Sequence, residues 1–330
     1  MKADGSMSVV VVSYNTRALT IRCLETLCDN LPDDADVCVV DNGSSDGSCE
    51  ELAEFAREKS GSVHLVANGR NLGFGPANNL GVMRTGADFI ALVNSDAFVD
   101  PGALEGLRDY LRRTPKAAVA GPMLKNPDGS FQESRFDFPS PARAWAENLG
   151  VSRVLRFFKR NRPHVSGAVA WLSGACLMVR SEVWNAVGGF DERFFLYAEE
   201  TDLQRRIAEC GWEIHWAPDF TVTHIGGGSG VAEKEVVRER FFDGADRYIL
   251  RYHGVAGLWV FRAATCCGAA LRWTLYVLKS GWTGKGARRW AWIFRRQISS
   301  PLPSEWQRMG AQEAHVFPAC MASSEKPPPA

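Results

Sequence analysis

The sequence lacks an excess of charge of either sign. Its 330 residues carry 38 basic and 38 acidic side chains, whereas a chain that binds nucleic acid over its whole surface would show a clear basic surplus. It also lacks any Cys-x-x-Cys pair. The nine cysteines (Cys23, Cys28, Cys38, Cys49, Cys176, Cys210, Cys266, Cys267 and Cys320) are odd in number and irregularly spaced. That fits reduced, mostly buried thiols in a cytosolic protein better than a zinc ribbon or a disulfide framework. No Gly-x4-Gly-Lys-Ser/Thr loop exists. Gly73-Phe74-Gly75-Pro76-Ala77-Asn78 lacks a third glycine and does not directly follow a strand-like run, so the fingerprints of a kinase or a dehydrogenase are unmet. Met1 to Ser8 is polar, so no secretory signal is expected and Asn42-Gly43-Ser44 is read as a chance sequon. There is no internal repeat.

What is present is a hydrophobic content of 45%, enough for a sizeable core and too much for a disordered or fibrous chain. The length fits about two domains, or one large α/β domain with an extension. The first half alternates short β-branched runs with amphipathic stretches, the pattern of βαβ units around a parallel sheet. Strands are expected at Val9–Tyr14, Val37–Asp41, His64–Val66, Phe89–Asn94 and Ala117–Gly121, and helices at Arg17–Asn30, Cys49–Lys59, Pro76–Arg84 and Pro101–Arg113. Beyond Pro122 the alternation stops, and Phe136–Val165 reads as an irregular, basic and aromatic loop. Order returns with a strand at Trp171–Val179, helices at Ser181–Val187 and Glu199–Glu209, and strands at Trp212–Ala217 and Phe220–His224. From about Val231 the chain reads as helical, ending in a Pro-rich frayed tail at Ser323–Ala330.

Polar residues collect where the expected strands end, at Ser13-Tyr14-Asn15-Thr16, Asp41-Asn42-Gly43-Ser44-Ser45-Asp46-Gly47 and Asn94-Ser95-Asp96. Open α/β sheets place their ligands at this edge. Each turn alone also reads as a helix cap. Asp41 and Asp96 are harder to account for in that way, because a carboxylate directly after a buried strand needs a partner such as a ribose hydroxyl or a metal.

Asp41-Asn42-x-Ser44-x-Asp46, Asn71-Leu72-Gly73-Phe74-Gly75-x-Ala77-x-Asn79 and Asn94-Ser95-Asp96, in that order, resemble family 2 glycosyltransferases of GT-A fold, and within them the bacterial rhamnosyltransferases. The likeness continues through Trp171-Leu172-Ser173-Gly174-Ala175-Cys176, Gly189-Phe190-Asp191-Glu192-x-Phe194-Phe195, Tyr197-x-Glu199-Glu200-x-Asp202-Leu203, and His224 with Ser229, spanning about residues 8–230. The resemblance implies an α/β nucleotide-diphospho-sugar transferase fold: a Rossmann-like mixed sheet flanked by helices, with a C-terminal helical extension. It divides the chain into a catalytic domain at 1–230 (8–122 for the nucleotide sugar, 123–230 for acceptor and catalysis), a helical, Trp-rich extension at 231–322, and the tail.

It also implies an inverting transfer of a sugar, rhamnose from dTDP-rhamnose, to a hydroxyl of a cell-surface glycan or polyprenyl-linked acceptor. Such an enzyme holds a sugar nucleotide, neutralises its diphosphate and deprotonates an acceptor hydroxyl. Ser13, Tyr14, Asn15, Asp41, Asn71, Gly73, Asn79, Asn94, Ser95 and Asp96 would form the donor site. Asp96 would bind Mg²⁺ or Mn²⁺, although Asn94-Ser95-Asp96 has one carboxylate fewer than the family's Asp-x-Asp. His224 is read either as a further metal or phosphate contact or as a structural histidine. Glu200, and after it Glu199, would be the general base; the plainer alternative is that acidic residues at a helix start answer the macrodipole. Trp171, Gly174, Asp202 and Arg205 would shape the acceptor pocket. Another donor, a UDP-hexose or UDP-galactofuranose, or a sugar-nucleotide binder without turnover, remain the alternatives.

Neutrality is a cancellation, since Arg247 to Ser304 holds ten Lys or Arg and no Asp or Glu. Trp259, Trp273, Trp282, Trp290, Trp292 and Trp306 crowd the same part, the mix of a segment lying in lipid headgroups. A spanning helix over Val255–Leu278 would bury Arg262 and Arg272 at roughly 2.5 kcal/mol or more each. The expected place is therefore cytoplasmic, peripheral on the inner face of an anionic membrane, and the alternative is aromatics packing on the catalytic domain. No RNA-binding motif accompanies the stretch, and a homodimer is left open.

Overall fold

The computed structural model describes residues 5–32, 35–59, 61–151, 164–226, 234–280, 282 and 284–300. All seven residues of β1 (Met7–Ser13) are buried, as expected of a central strand covered on both faces. It pairs in parallel with β2 (Asp36–Asp41) and β4 (Phe89–Asn94), and β2 pairs in parallel with β3 (Val63–Ala67). β11 (Cys176–Arg180) then runs antiparallel to both β4 and β6 (Ala117–Lys125). β12 (Glu213–His224) lies parallel to β6 and antiparallel to β5 (Ala97–Val99). The main path is β3-β2-β1-β4-β11-β6-β12-β5, with β7 (Phe131–Gln132) on β6 and β9 (Gly167–Val169) on β12; β8 (Arg135–Phe136) and β10 (Trp171–Leu172) form a separate two-stranded sheet.

Alternation along the strands feeds two apolar layers. Val9 and Val11 face Leu24 and Leu27 of α1 (Arg17–Asn30), Leu52 of α2 (Ser48–Glu58) and Leu107 of α4 (Ala103–Arg113). Val10, Val12 and Val40 face Ala77 of α3 (Phe74–Val82), and the same layer holds Trp184 of α6 (Ser181–Val187) and Leu203 and Ile207 of α7 (Glu199–Glu209).

Three expectations of secondary structure, and one of cysteine chemistry, are corrected. Trp171–Val179 is not one strand: Ser173 N–H donates to the Ser134 carbonyl at 2.7 Å, turning the chain from β10 into the small sheet before β11 joins the main one. Phe136–Val165 is not wholly irregular, because α5 (Pro141–Asn148) lies in it, capped by Ser140 with Pro141 in its first turn; residues 152–163 lie outside the described residues. The expected strands at Trp212–Ala217 and Phe220–His224 are one strand with a register shift between Ala217 and Thr221. Cys23, Cys28, Cys38, Cys49, Cys176, Cys266 and Cys267 are free, and burial pushes the Cys38 and Cys176 thiols up to about 11 and about 12. Cys210 is disulfide-bonded, a correction there to the reading of reduced thiols. Ser229, Trp306, Cys320 and the Pro-rich tail lie outside the described residues.

The described chain packs as two units, residues 5–138 with 164–244, and residues 139–151 with 245–300. The second contains α5, most of α8 (Lys234–Ser280, broken at Gly254 where φ is +65°) and α9 (Lys285–Ser299). At its centre Asp246 accepts from Arg262 at 2.9 Å and from Arg296 at 2.7 Å, all three buried. The cost expected for Arg262 is thus met by an ion pair inside the protein.

Candidate active site

β1, β2 and β4 end side by side, with Ser13 opposite Asp41 and Val12 opposite Asn94. Hydroxyls tie these ends together. Ser13 bonds Thr20 at 2.9 Å, Thr20 bonds Thr16 at 3.0 Å, and Thr16 reaches Ser95 at 3.1 Å. Ser13 and Ser95 therefore fix the first turn of α1 against the Asn94-Ser95-Asp96 turn. Tyr14 stands half-buried beside them. Asn15, at φ +51°, accepts from Ser45 N–H at 2.8 Å and donates its own N–H to Ser44 Oγ at 3.0 Å, clasping the loop after β2.

Asn42, part of the Asp41-Asn42-x-Ser44-x-Asp46 motif but given no role from the sequence, organises the next loop. Its Nδ2 donates to Asn71 Oδ1 at 3.0 Å and to the Gly73 carbonyl at 3.1 Å, while its Oδ1 accepts from Asn68 Nδ2 and Leu72 N–H. An amide can serve two donors and two acceptors at once, which a carboxylate cannot. Gly73, at φ +92°, is held so close to the segment before α7 that a Cβ would stand 2.3 Å from the Phe195 carbonyl oxygen. Phe74 N–H donates to that same oxygen at 2.8 Å. Asn79 is spent in like fashion: its amide accepts from Phe190 N–H at 2.9 Å and donates to the Phe190 carbonyl at 3.0 Å and Glu192 at 3.2 Å.

Two acceptor atoms here are buried without a partner, Asp41 Oδ1 and Asn94 Oδ1. Asp41 Oδ2 takes the Ser44 N–H at 3.2 Å. A buried, unbonded carboxylate oxygen is costly, and a ligand hydroxyl would offset that cost.

His224, at the end of β12, brings Nε2 to 3.3 Å from Asp96 Oδ1. Gln132 sets its orientation. The Gln132 amide nitrogen donates to Asn126 Oδ1 and to the His224 carbonyl, so its Oε1 is the acceptor for His224 Nδ1–H at 2.7 Å. That assignment leaves the Nε2 lone pair of a neutral imidazole facing a carboxylate oxygen, an arrangement a shared cation or proton satisfies. The donor set, one carboxylate and one imidazole, fits a divalent cation that draws its other ligands from a diphosphate and water. Among the described residues no group of three His, Cys, Asp or Glu gathers at one point.

Glu199 and Glu200 open α7 after two residues in the left-handed region, Tyr197 at φ +71° and Ala198 at φ +69°. The Tyr197 carbonyl is crowded by Gly244, where a Cβ would lie 2.3 Å from it. Glu199 is buried and Glu200 half-buried, and each has a buried Oε2 without a hydrogen-bond partner. Burial, and then the neighbouring Glu200 charge, push Glu199 well above the usual carboxylate range; burial also raises Glu200. The two carboxyls titrate as a pair, both shifted upward by burial. Gly174 packs on Glu200, a Cβ there standing 3.4 Å from Glu200 Cβ, and Gly75 faces Glu199.

Gln204 is a residue the sequence reading missed. It accepts from Leu172 N–H and donates to the Leu172 carbonyl, both at 2.8 Å, and it also donates to the Glu200 carbonyl at 3.0 Å, so β10 and the start of α7 are locked together. Trp171 lies against Phe136 at 4.7 Å between ring centroids, its indole N–H on the Asp137 carbonyl. Asp202 is fully buried and bonded to Arg206 at 2.8 Å, which also donates to the Val187 and Gly189 carbonyls. Arg205 pairs with Glu209 at 2.8 Å and lies over Phe138.

The sheet thus gathers polar turns at one end and a carboxylate pair behind a glycine. Two solved structures share the fold. One is a mannosyltransferase from Pyrobaculum calidifontis in complex with GDP-Man and Mn²⁺ (TM-score 0.54, 18% identity, 94% of this chain and 90% of that one). The other is GalNAc-T7 with UDP, GalNAc and Mn²⁺ (TM-score 0.53, 16% identity, 66% of this chain and 43% of that one). Residues 8–184 match glycosyl transferase family 2, and the chain belongs to that family. It is 32% identical over 240 residues to the N-acetylglucosaminyl-diphospho-decaprenol L-rhamnosyltransferase of Mycobacterium tuberculosis, covering 66% of this chain and 75% of that one. It is 26% identical over 231 residues to the dTDP-rhamnosyl transferase RfbF of Shigella flexneri, covering 69% and 72%. The protein is a glycosyltransferase.

Proposed function

We propose that the chain is an inverting rhamnosyltransferase that takes rhamnose from dTDP-rhamnose and places it on a hydroxyl of a lipid-linked glycan. Support for the sugar comes from the two relatives, both named for rhamnosyl transfer. The observation that carries the mechanism is the half-buried Glu200, packed on Gly174, with its buried Oε2 unbonded. Glu200 takes the proton of the acceptor hydroxyl as that oxygen attacks the anomeric carbon. The new C–O bond forms on the face opposite the breaking bond to phosphate, and the nucleoside diphosphate leaves. Glu199, buried beside it, keeps the Glu200 site away from water and adds to its proton affinity.

On the donor side Asp41 would accept from the ribose through Oδ1, beside Tyr14, with Asn71 and Gly73 as the loop that Asn42 shapes. Asp96 and His224 would hold Mg²⁺ or Mn²⁺, which when bound neutralises charge on the diphosphate leaving group. Asp202 and Arg205 keep α7 in place, and Trp171 and Gly174 border the acceptor side. A thermal-shift screen of dTDP-, UDP- and GDP-sugars with and without Mn²⁺, followed by donor hydrolysis, tests this reading. The expected result is stabilisation and turnover with dTDP-rhamnose alone; turnover with a UDP-hexose or UDP-galactofuranose in its place would refute the choice of donor.

A further inference from the structure

The second unit carries a surface that its own core does not explain. Along α8, Val260, Ala263, Cys267, Leu271, Leu275 and Leu278 recur at steps of three or four and are all exposed, Leu278 by 80%. Such spacing puts them on one side of the helix over about 27 Å at 1.5 Å per residue. Thr274 lies on that side too, and its hydroxyl is turned inward onto the Ala270 carbonyl at 3.0 Å, as suits a face that gives up water. The other side of α8 packs within the unit: Gly268 meets Asn148 of α5, Arg272 donates to Asn148 and to the Gly268 carbonyl, and Arg262 is paired with Asp246.

On α9, Phe294 and Ile298 are exposed one turn apart, with Arg288 and Arg295 on the adjoining arc. Lys279, Lys285 and Arg289 are exposed as well. The described residues of the unit hold eleven Lys or Arg against two acidic residues, Glu147 and the buried Asp246. An exposed apolar stripe of this length is unusual on a protein surface that meets only water, and a cationic flank matches anionic headgroups.

We infer that α8 and α9 form a docking surface for an anionic phospholipid membrane, α8 lying in the plane of the interface with its apolar stripe toward the acyl chains and the α9 cations meeting lipid phosphates. By length and composition α8 could also cross a bilayer. Its inner side, however, carries α5 with Arg143 and Glu147 exposed, and a spanning position would drag those charges into hydrocarbon. For the enzyme, docking holds the catalytic unit where a lipid-borne acceptor is presented, and that purpose rests on the reading above.

The test is flotation of the full chain with vesicles of phosphatidylcholine, with and without phosphatidylglycerol, in the absence of any sugar nucleotide. Binding is expected only with the anionic lipid. Leu271→Glu with Leu275→Glu should abolish it, and Arg288→Glu with Arg295→Glu should weaken it by about tenfold or more, at roughly one kcal/mol per basic residue. All four positions are exposed, and donor hydrolysis at the wild-type rate shows that the variants are folded. Absent vesicle binding, or binding unchanged in both variants, overturns the inference. So does a wild-type dimer that the Leu271 and Leu275 changes convert to monomer without any vesicle binding, which would make a second copy the occupant. Because vesicle binding needs no donor, its failure is distinguishable from a wrong choice of sugar.

Discussion

At the carboxyl ends of β1, β2 and β4 most polar side chains are bonded to one another and only Asp41 Oδ1 and Asn94 Oδ1 are left buried without a partner, whereas at the start of α7 both carboxylates, Glu199 and Glu200, keep a buried oxygen that is bonded to nothing. The first region is a frame in which Asn42, Thr16 and Thr20 spend their hydrogen bonds on shape. The second holds its carboxylates at a cost, behind two residues of left-handed backbone. A binding surface must keep its geometry before the ligand arrives, while a base gains proton affinity by being deprived of partners.

Glu200→Gln should break the second region alone. Transfer is expected to fall by about 10²–10⁴-fold, the contribution of a positioned base, with donor affinity measured by calorimetry nearly unchanged; transfer at the wild-type rate would remove Glu200 from the mechanism. Asp96→Ala should break the first, losing turnover and metal dependence together, and EDTA should silence the wild type. An EDTA-treated enzyme at full rate would exclude the metal. Gln132→Leu should sharpen the contrast, because it frees His224 without touching a proposed ligand: metal affinity is expected to drop about 10–100-fold, as for other groups that orient a ligand, with kcat at saturating Mn²⁺ retained. Asn42→Ala is expected to cost about 1–3 kcal/mol for the buried groups left unbonded, seen as a lower Tm and a raised donor KM.

The smallest effect concerns pH. Since burial raises Glu200, the acid limb of kcat should lie above the ordinary glutamate range. The stability sign is opposite. A carboxyl whose folded pKa is raised stabilises the fold below its unfolded pKa, and that contribution is lost as pH rises through the folded value. Glu199→Gln should therefore raise Tm at alkaline pH and change it little in acid; scanning calorimetry at both pH values would expose the opposite trend.

The frame was largely legible in the sequence because β-branched runs ending in Ser, Asn and Asp mark both strand and edge. α1 and β4 lie where periodicity put them, and the pairing of Ser13 with Asp41 follows once β1 and β2 are parallel. Three-residue β5 directly after Asp96 left no periodic trace. The break between β10 and β11 depends on a bond from Ser173 to Ser134, thirty-nine positions apart, which local pattern cannot carry. The role of Asn42, and Gln132 and Gln204 altogether, escaped for the same reason: an amide matters through what it reaches, and these residues have partners remote in sequence. For α5 the signal was there in Ser140-Pro141, a cap followed by a proline in the first turn.

The contact between Gly73 and Phe195 bears on how such enzymes can be recombined. One backbone bond from Phe74 to Phe195, with no room for a side chain at Gly73, splices the loop before α3 to the stretch that delivers Glu199 and Glu200. A chimera that imports residues 71–79 from a relative in order to change the sugar nucleotide must import 189–200 with them. Exchanged singly, either segment would arrive without the surface it was shaped against, so under the proposed mechanism donor choice and catalytic competence would be inherited as one module.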